Sequence, residues 1–246
     1  MDTAAIEEMS ALEDHHWWFI GKRLLVAALL GERLARPGVR VLDVGCGTGG
    51  VLASLPGRAR AAGVDRSLAA LAHCRRRGVA AVAVADGDRL PFATGSFDVV
   101  LMLDVLEHFR DEGALLAGVA RVLAPGGTLL VSVPAYQSLW SAHDEVMHHV
   151  RRYTSGRLRA ALVAGGFAID HLTYTNLAPL APALVVRGLL PRLGLGRGGG
   201  SDFRTHAAWV NGVLVAAYRA EAWAVRRLSL PCGLSVAAVA HVAGAR

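Results

Sequence analysis

VLDVGCGTGG, at positions 41–50, is the stretch of this sequence that decides its fold. It begins with a short apolar run of the kind that forms a buried β-strand, and the run ends in an acid, Asp43. Four glycines follow between Gly45 and Gly50. Glycine adopts positive φ and lets a ligand approach where a Cβ would collide. Because a strand that runs into such a loop and then into a helix forms the nucleotide crevice of a parallel sheet, we expect a nucleoside cofactor here.

The glycine loop fits two cofactor-binding patterns. Gly45, Gly47 and Gly50 match the dinucleotide fingerprint G-x-G-x-x-G, and Asp65 follows at about the spacing of 20 residues that this fingerprint expects. The segment from Asp43 to Gly47 instead resembles motif I of the class I S-adenosylmethionine-dependent methyltransferases. Charge favours the second pattern, because Asp43 would lie near an anionic pyrophosphate without a compensating cation. The sulfonium and ammonium of S-adenosylmethionine are favoured by a carboxylate.

Later segments resemble further motifs of the same family, in order, from about Val39 to Pro134. The run 63–65 resembles the ribose-binding motif, in which a carboxylate accepts charge-assisted hydrogen bonds from two hydroxyls. Residues 85–92 resemble the adenine-binding turn, with Asp86 facing the exocyclic amine. The remaining matches are the fourth strand at 96–101, the loop after it at 103–108, and the helix end, tight turn and fifth strand at 121–131.

This resemblance implies the fold, the cofactor and a set of cofactor-binding residues. The fold class is α/β, with a seven-stranded, mostly parallel sheet and helices on both faces, which is the Rossmann-like methyltransferase fold. The cofactor is S-adenosyl-L-methionine, and the product is S-adenosyl-L-homocysteine. The residues expected to bind the cofactor are Asp43, Gly45, Cys46, Gly47, Asp65, Arg66, Asp86, Gly87, Leu103, Trp18 and Arg23.

The chain divides into a core and two additions. Residues 1–38 read as an N-terminal helical cap, with helices predicted over Thr3 to Asp14 and His16 to Leu34. The core comprises 39–174 and 232–246, and its last strand, Gly233 to Val242, is antiparallel in the family. The insertion 175–231 is apolar and helical on both sides of a Gly-rich linker at 194–201. It could cover the sheet, pair two subunits, or form a lid or membrane-facing wall of an apolar cavity.

Composition sets limits on the partners and the compartment. The 246 residues carry a formal net charge of +6, with 25 Arg against one Lys, which permits an anionic partner but also fits an ordinary solvated surface. Three widely spaced cysteines indicate a reducing cytosol. The amino end has no secretory signal pattern, and no apolar run has the roughly 20 residues of a membrane span. We expect a cytoplasmic protein that can contact the inner face of the membrane peripherally.

An aromatic segment before the first strand is a candidate closing element. Trp17, Trp18 and Phe19 are adjacent, so they cannot all share one helix face. Similar aromatic-then-basic helices cover the cofactor in a broad subgroup of the family. By this resemblance Trp17, Trp18 and Arg23 would line the site, with Trp17 contacting the substrate. The alternative is a helix that merely packs on the sheet.

The polar cluster at 141–153 follows the fifth strand at the carboxyl edge of the sheet. His143 or His148 could act as a general base oriented by Asp144, and His108 is a lesser candidate beside a structural Glu107. Arginines could clamp an anionic group of the substrate, or the cluster could be a solvated helix. Imidazoles at this spacing are a weak metal signal, so no metal site is predicted. The further residues expected to bind substrate are Tyr136, Trp140, Arg151, Arg152 and Tyr153.

The leading prediction is a methyltransferase acting on an oxygen or carbon of a small apolar or lipid-like acceptor, as a monomer or homodimer. A nucleic-acid methyltransferase is the first alternative, prompted by the sequence pI of about 9.9. Against it, Leu103-Asp104-Val105 stands where amino-methylating enzymes carry an Asn/Asp-Pro-Pro-aromatic motif, and Cys232 is not placed as a cytosine nucleophile. We therefore expect no nucleic-acid partner. A regulator that binds the cofactor without catalysis is the second alternative.

Overall fold

The computed structural model describes residues 3–57, 59–189 and 207–244. A seven-stranded sheet runs through the molecule in the order β3-β2-β1-β4-β5-β7-β6. The strands are β1 (Arg40–Val44), β2 (Arg60–Asp65), β3 (Val82–Val84), β4 (Phe97–Leu103), β5 (Leu123–Pro134), β6 (Phe167–Thr175) and β7 (Ser235–Val242). The pairs among β1 to β5 are parallel, and β7 runs antiparallel to both β5 and β6. The predicted antiparallel last strand is confirmed.

Helices connect the strands and cover both faces of the sheet. They are α1 (Thr3–Leu12), α2 (Trp17–Leu34), α3 (Gly50–Ala53), α4 (Leu68–Arg76), α5 (Glu112–Val122), α6 (Ala142–Val146), α7 (Ser155–Ala164), α8 (Leu180–Ala183) and α9 (Ala208–Val225). Short 3-10 turns lie at Leu106–His108 and Gln137–Leu139, and a π-helical turn at Leu184–Leu189 continues α8. None of the helices within the described ranges has the length and apolar character needed to cross a bilayer.

The central strands are buried on both faces, as parallel strands between helical layers must be. Side chains of β1 and β4 alternate between two cores. Val41 and Leu101 pack with Val26 and Leu30 of α2. The alternate residues, such as Leu42, face the opposite core with α5 and α7. This alternation is the period of two that the apolar runs predicted.

The cap and the insertion pack against each other. Tyr218 of α9 lies against Gly21 of α2, where a Cβ would stand 2.3 Å from its ring atoms. The side chain of Asn211 accepts from the Trp17 amide at 2.8 Å and donates to the His15 carbonyl at 2.9 Å. Of the predicted insertion helices, the described parts are helical over Leu180–Leu189 and Ala208–Val225. The predicted linker at 194–201 lies outside the described residues.

The insertion is also tied to the end of β6. Asn176 has a positive φ of 65°. Its amide and that of Leu177 donate to the carboxylate of Glu221 on α9, at 2.6 and 2.7 Å. Because both amides of this turn use one carboxylate, the turn and α9 form one structural unit, and α9 lies beside the carboxyl edge of the sheet.

Candidate functional site

A cavity of about 880 Å³ opens at the carboxyl ends of β1, β2 and β4. Its volume lies within the range of about 300–1,000 Å³ that is usual for ligand sites. Helices α1 and α2 form one wall, and the loops after the three strands form the floor. The predicted site residues that line it are Asp43, Gly45, Cys46, Gly47, Asp65, Arg66, Gly87, Leu103, Trp18, Arg23, His108 and His148. The structure thus brings together all but one of the residues expected to bind the cofactor.

The glycine loop is held against the two neighbouring strands. The amides of Gly45 and Cys46 both donate to the carbonyl of Val64, at 2.8 and 3.0 Å. Gly45 has a φ of +73°, and a Cβ there would lie 2.6 Å from a methyl carbon of Val105. The position therefore requires glycine for its backbone conformation and for its contact with the loop after β4. The result is a cradle with backbone close to the ligand space.

Asp65, at the end of β2, joins the loop to the second strand. One carboxylate oxygen accepts from the Gly47 amide and the other from the Ser67 amide, both at 2.9 Å. A carboxylate offers about four lone-pair positions, so the group can still accept from ligand hydroxyls. Asp86 is the one expected cofactor residue that does not line the cavity. Its side chain is half exposed and pairs with Arg66, which does line it, at 2.9 Å.

The floor of the cavity is rich in carboxylates. Asp43 is 3% exposed, and burial, with Cys74, Glu13 and Asp65 nearby, raises its pKa well above the usual value. An anionic pyrophosphate over this loop would add to the repulsion, whereas a cationic ligand would relieve it. The glycine cradle and this charge distribution fit a cofactor that carries a sulfonium and an ammonium group.

Glu13 is a site residue that the sequence reasoning missed. It follows α1, is 6% exposed, and its carboxylate accepts from the Thr48 hydroxyl and, at 2.9 Å, from the Gly50 amide. Arg77 of the segment after α4 approaches the same carboxylate at 3.3 Å. The cap is therefore hydrogen-bonded directly to the glycine loop. No local pattern marks a lone acid for this role, since its partners lie 35 and 37 residues away.

Helix α2 presents Trp18, Lys22 and Arg23 to the cavity. Lys22, the one lysine of the sequence, donates to Asp104 at 2.8 Å and to Ser132 at 3.0 Å, and lies 4.9 Å from the Trp18 ring centroid. The guanidinium of Arg23 donates to the carbonyl of Glu13 at 2.8 Å. These contacts fix the wall of the cavity.

The six residues expected to bind substrate lie outside the lining of this cavity. Trp17 turns toward α9, with its ring 5.7 Å from that of Tyr218. Arg152 is buried and makes two hydrogen bonds to Asp144, at 2.7 and 2.8 Å. Opposite charges that pair in the interior are unavailable to a ligand. The sequence indicated an anion clamp because it does not reveal that the acid eight residues away satisfies the guanidinium.

The other members of this group are also engaged elsewhere. Tyr153 is fully buried, and its hydroxyl donates to Glu112 at 2.6 Å, while Arg151 pairs with the same carboxylate. Tyr136 stacks on Tyr174 with ring centroids 5.4 Å apart. Trp140 is half-buried after the 3-10 turn Gln137–Leu139. Together these contacts hold the segment after β5 against the sheet, beside the cavity.

The three histidines proposed as bases occupy different places. His108 lines the cavity, and burial, with His149 beside it, lowers its pKa to about 4. Burial, with Arg187 nearby, lowers the pKa of His143 also to about 4, and this residue lies outside the lining. His148 lines the cavity, is exposed, and has a positive φ of 57°. His148 is therefore the one of the three that combines access to solvent with access to the cavity.

Comparison with known proteins agrees with this geometry. Residues 42–131 match the family model for a methyltransferase domain. The match covers the glycine loop, Asp65 and the strands up to β5, so the predicted methyltransferase domain is confirmed over these residues, and the sheet order confirms the predicted fold. The match to a methyltransferase domain supports the predicted cofactor, S-adenosylmethionine.

Curated relatives of the methyltransferase domain include enzymes with different acceptors. The ubiquinone biosynthesis O-methyltransferase of Hahella chejuensis is 33% identical over 150 residues, which are 54% of this chain and 63% of the relative. The trans-aconitate 2-methyltransferase of Deinococcus radiodurans is 34% identical over 168 residues, which are 66% of this chain and 60% of the relative. The chain thus spans about three fifths of the length of these relatives.

Solved structures share the fold over most of the chain. The methyltransferase in a Haloferax volcanii complex with the Trm112 activator has a TM-score of 0.58 at 22% identity, covering 98% of this chain and 93% of that one. Geranyl diphosphate C-methyltransferase of Streptomyces coelicolor has a TM-score of 0.57 at 17% identity, covering 87% and 73%. It was solved with Mg²⁺, geranyl-S-thiolodiphosphate and S-adenosyl-L-homocysteine.

Removing the Glu13 carboxylate should weaken cofactor binding. In Glu13→Ala the Thr48 hydroxyl and the Gly50 amide lose their acceptor, and buried donors without a partner cost about 1–3 kcal/mol. We expect the dissociation constant of S-adenosyl-L-homocysteine, measured by calorimetry, to rise by about tenfold, or about 1.4 kcal/mol. Glu8→Ala, which changes an exposed acid on the preceding helix α1, is the matched control. Equal affinities for both variants would show that the cap does not support the loop.

Proposed function

We propose that this chain is an S-adenosylmethionine-dependent methyltransferase that methylates an oxygen or carbon of a small apolar or lipid-like acceptor. The observation that carries the proposal is that a polar cofactor cradle and apolar side chains line the same cavity. The lining combines the carboxylate-rich glycine cradle with apolar side chains that include Phe19, Val105 and Phe109. An acceptor seated against these side chains would lie next to the cofactor.

For methyl transfer, the protein mainly has to orient the acceptor toward the cofactor and exclude water from the cavity. The bound cofactor supplies a methyl group already activated by its sulfonium. Asp65 and the loop amides hold the nucleoside end, while α1 and α2, fixed through Glu13 and Lys22, cover the cavity. A general base is needed only where the acceptor arrives protonated. We assign that role to His148, which lines the cavity and is open to solvent.

The relatives support an apolar acceptor without restricting the choice to one. The Hahella relative is named as an O-methyltransferase of ubiquinone biosynthesis, and an aromatic acceptor would suit a wall of Trp18, Phe19 and Phe109. The trans-aconitate enzyme shows that related chains also take a small anion. Arg23 and Arg110 at the lining could serve such a carboxylate. We favour the apolar class because of the aromatic and thioether side chains on the wall.

We also propose that the enzyme attaches to anionic membrane surfaces through α9. Trp209, Val213 and Trp223 are 73%, 61% and 70% exposed. At about 100° per residue these three side chains fall within about 80° of one another, so they form one apolar stripe. Arg226 and Arg227 follow the helix and are exposed. An apolar stripe with tryptophans and flanking arginines is typical of helices that lie in a membrane interface.

The three-part organisation of the chain remains our proposal: a cap at 1–38, a core at 39–174 and 232–246, and an insertion at 175–231. The hydrogen bonds of Asn211 and the contact of Gly21 with Tyr218 support a cap and insertion that move together. We propose that they act jointly as the cover of the site, in a monomer or a homodimer at the membrane-facing side of the cytoplasm.

Cofactor binding is the first test. We expect calorimetry to give micromolar binding of S-adenosylmethionine, and Asp65→Ala to weaken it by at least about a hundredfold, or about 2.7 kcal/mol. The carboxylate serves both the loop amide and the ligand hydroxyls, so its loss removes both. Glu32→Ala, an exposed acid on α2, should bind like the unchanged chain. Binding of NAD in place of S-adenosylmethionine would contradict the proposal.

The acceptor class can be tested by methyl transfer from labelled cofactor to three probes: a prenylated dihydroxybenzene, trans-aconitate and bulk RNA. We expect transfer to the first, with kcat lowered by roughly 10²–10⁴-fold in His148→Ala because proton removal is lost. His241→Ala, on the far strand β7, should retain full activity. Transfer to RNA alone would contradict the apolar acceptor. An unchanged kcat in His148→Ala would exclude His148 as the base.

Membrane attachment can be tested by flotation with vesicles of phosphatidylglycerol and phosphatidylcholine. We expect the unchanged chain to float with the vesicles, and Trp209→Ser combined with Trp223→Ser to remain in the soluble fraction, because the stripe loses its two largest apolar groups. Leu68→Ser on α4 is the matched control, since Leu68 is 69% exposed on another face. The proposal fails if the unchanged chain does not float, or if the control loses binding equally.

A further inference from the structure

A carboxylate and two imidazoles converge behind the wall of the cavity. Glu107 and His108 belong to the 3-10 turn after β4, and His149 belongs to the loop after α6. One potential ligand atom from each lies within 4.8 Å of the others. The Val150 amide donates to the Glu107 carbonyl at 2.8 Å, so the two segments are joined next to the cluster. The cluster is therefore built by the fold and not by the chance approach of mobile side chains.

Glu107 is unusual for a buried acid. Its side chain is fully buried, and within the described ranges neither carboxylate oxygen has a hydrogen-bond partner. Lys22 and Arg152, the cations whose charges act on it, are each already paired with another acid, Asp104 at 2.8 Å and Asp144 at 2.7 Å. Burying a polar group without a partner is costly, and burying an unmatched charge is more so. The position calls for a positively charged partner.

The imidazole of His149 faces this carboxylate with a lone pair. Its Nδ1 lies 2.9 Å from a carboxylate oxygen of Asp144, and since a carboxylate only accepts, Nδ1 carries the proton. Nε2 then faces Glu107, whose nearer oxygen is 4.0 Å away, and in the neutral imidazole this nitrogen carries a lone pair. Two lone pairs that face each other across such a gap suit a cation between them. A carboxylate behind the non-ligating nitrogen is the usual support of a metal-binding histidine.

The support of His149 is itself rigid. Asp144 is fully buried and accepts two hydrogen bonds from Arg152, and its carboxylate also accepts from the Ser141 amide at 2.8 Å. The buried hydrogen bonds that hold Arg152 outside the cavity lining therefore also fix Asp144, the acid that orients His149. His148, with its positive φ of 57°, sets the chain direction just before it.

We propose that Glu107, His108 and His149 bind a divalent first-row transition-metal ion. One carboxylate and two imidazoles are the ligand set of open zinc sites and of facial-triad iron sites. Ligand bonds of about 2.0–2.2 Å require the three side chains to close in by about 1 Å on binding. His108 lines the cavity, so the proposed metal site would adjoin it. If the proposed function holds, an oxygen of the acceptor would be the natural ligand there.

The test is metal binding by the full chain, prepared without a metal-affinity tag and stripped with a chelator. After dialysis against Zn²⁺, elemental analysis should give one ion per chain, and Co²⁺ should give a visible absorption band. Glu107→Gln and His149→Ala should each abolish both signals. Asp144→Asn should weaken binding by roughly 10–100-fold, since it acts through His149. His241→Ala, outside the cluster, should bind like the unchanged chain.

Two results would overturn the proposal: no Zn²⁺ retained by the unchanged chain, or retention that both ligand variants leave unaltered. The first would mean that a proton, shared or bound, satisfies Glu107. Binding of S-adenosyl-L-homocysteine by Glu107→Gln serves as the folding control, because the cofactor cradle does not include Glu107. The same measurement separates this inference from the proposed function: a chain that binds the cofactor and no metal refutes only the metal site, and the reverse result refutes only the cofactor assignment.

Discussion

The parallel pairing of β1 between β2 and β4 is the constraint on which the rest of this structure depends. It brings the carboxyl ends of three strands to one edge, so the glycine loop, Asp65 and the loop after β4 meet there. The close approach of Gly45 to Val105 and the two amides on the Val64 carbonyl follow from that pairing. Each contact joins the loop to a different neighbour. The cradle is rigid because the sheet beneath it is.

The sequence predicted the fold and the cavity lining best where the relevant residues lie in one short motif. The strand-acid-glycine pattern at 41–50 and the acid at Asp65 predicted the sheet edge and residues that line the cavity there, because backbone geometry restricts which residues fit. The antiparallel last strand followed from the family resemblance. Local pattern is informative at such positions since glycine and buried strand residues have few substitutes.

The sequence was less informative where tertiary partners decide the outcome. Arg152 and Tyr153 have the chemistry of a substrate clamp, yet Asp144 pairs with the guanidinium and Glu112, 41 residues away, accepts from the tyrosine hydroxyl. Glu13 had no local signal, although it hydrogen-bonds the glycine loop. The proximity of Glu107 and His149, 42 positions apart in the numbering, is likewise a product of folding alone. Charged side chains can be assigned to a site only after their nearest opposite charges are known.

The side-chain amide of Asn211 has a wider consequence. It joins α9 to the junction of α1 and α2, accepting from one backbone group and donating to another. A shift of α9 would either break these two hydrogen bonds or move the junction of α1 and α2 with it. In the second case it would also displace Glu13, which follows α1 and hydrogen-bonds the glycine loop. Thermodynamic linkage is reciprocal, so occupancy of the nucleoside cradle and engagement of the outer helix would influence each other by the same free energy. If the proposed function and the proposed membrane attachment hold, the chain would load its methyl donor preferentially where α9 is engaged.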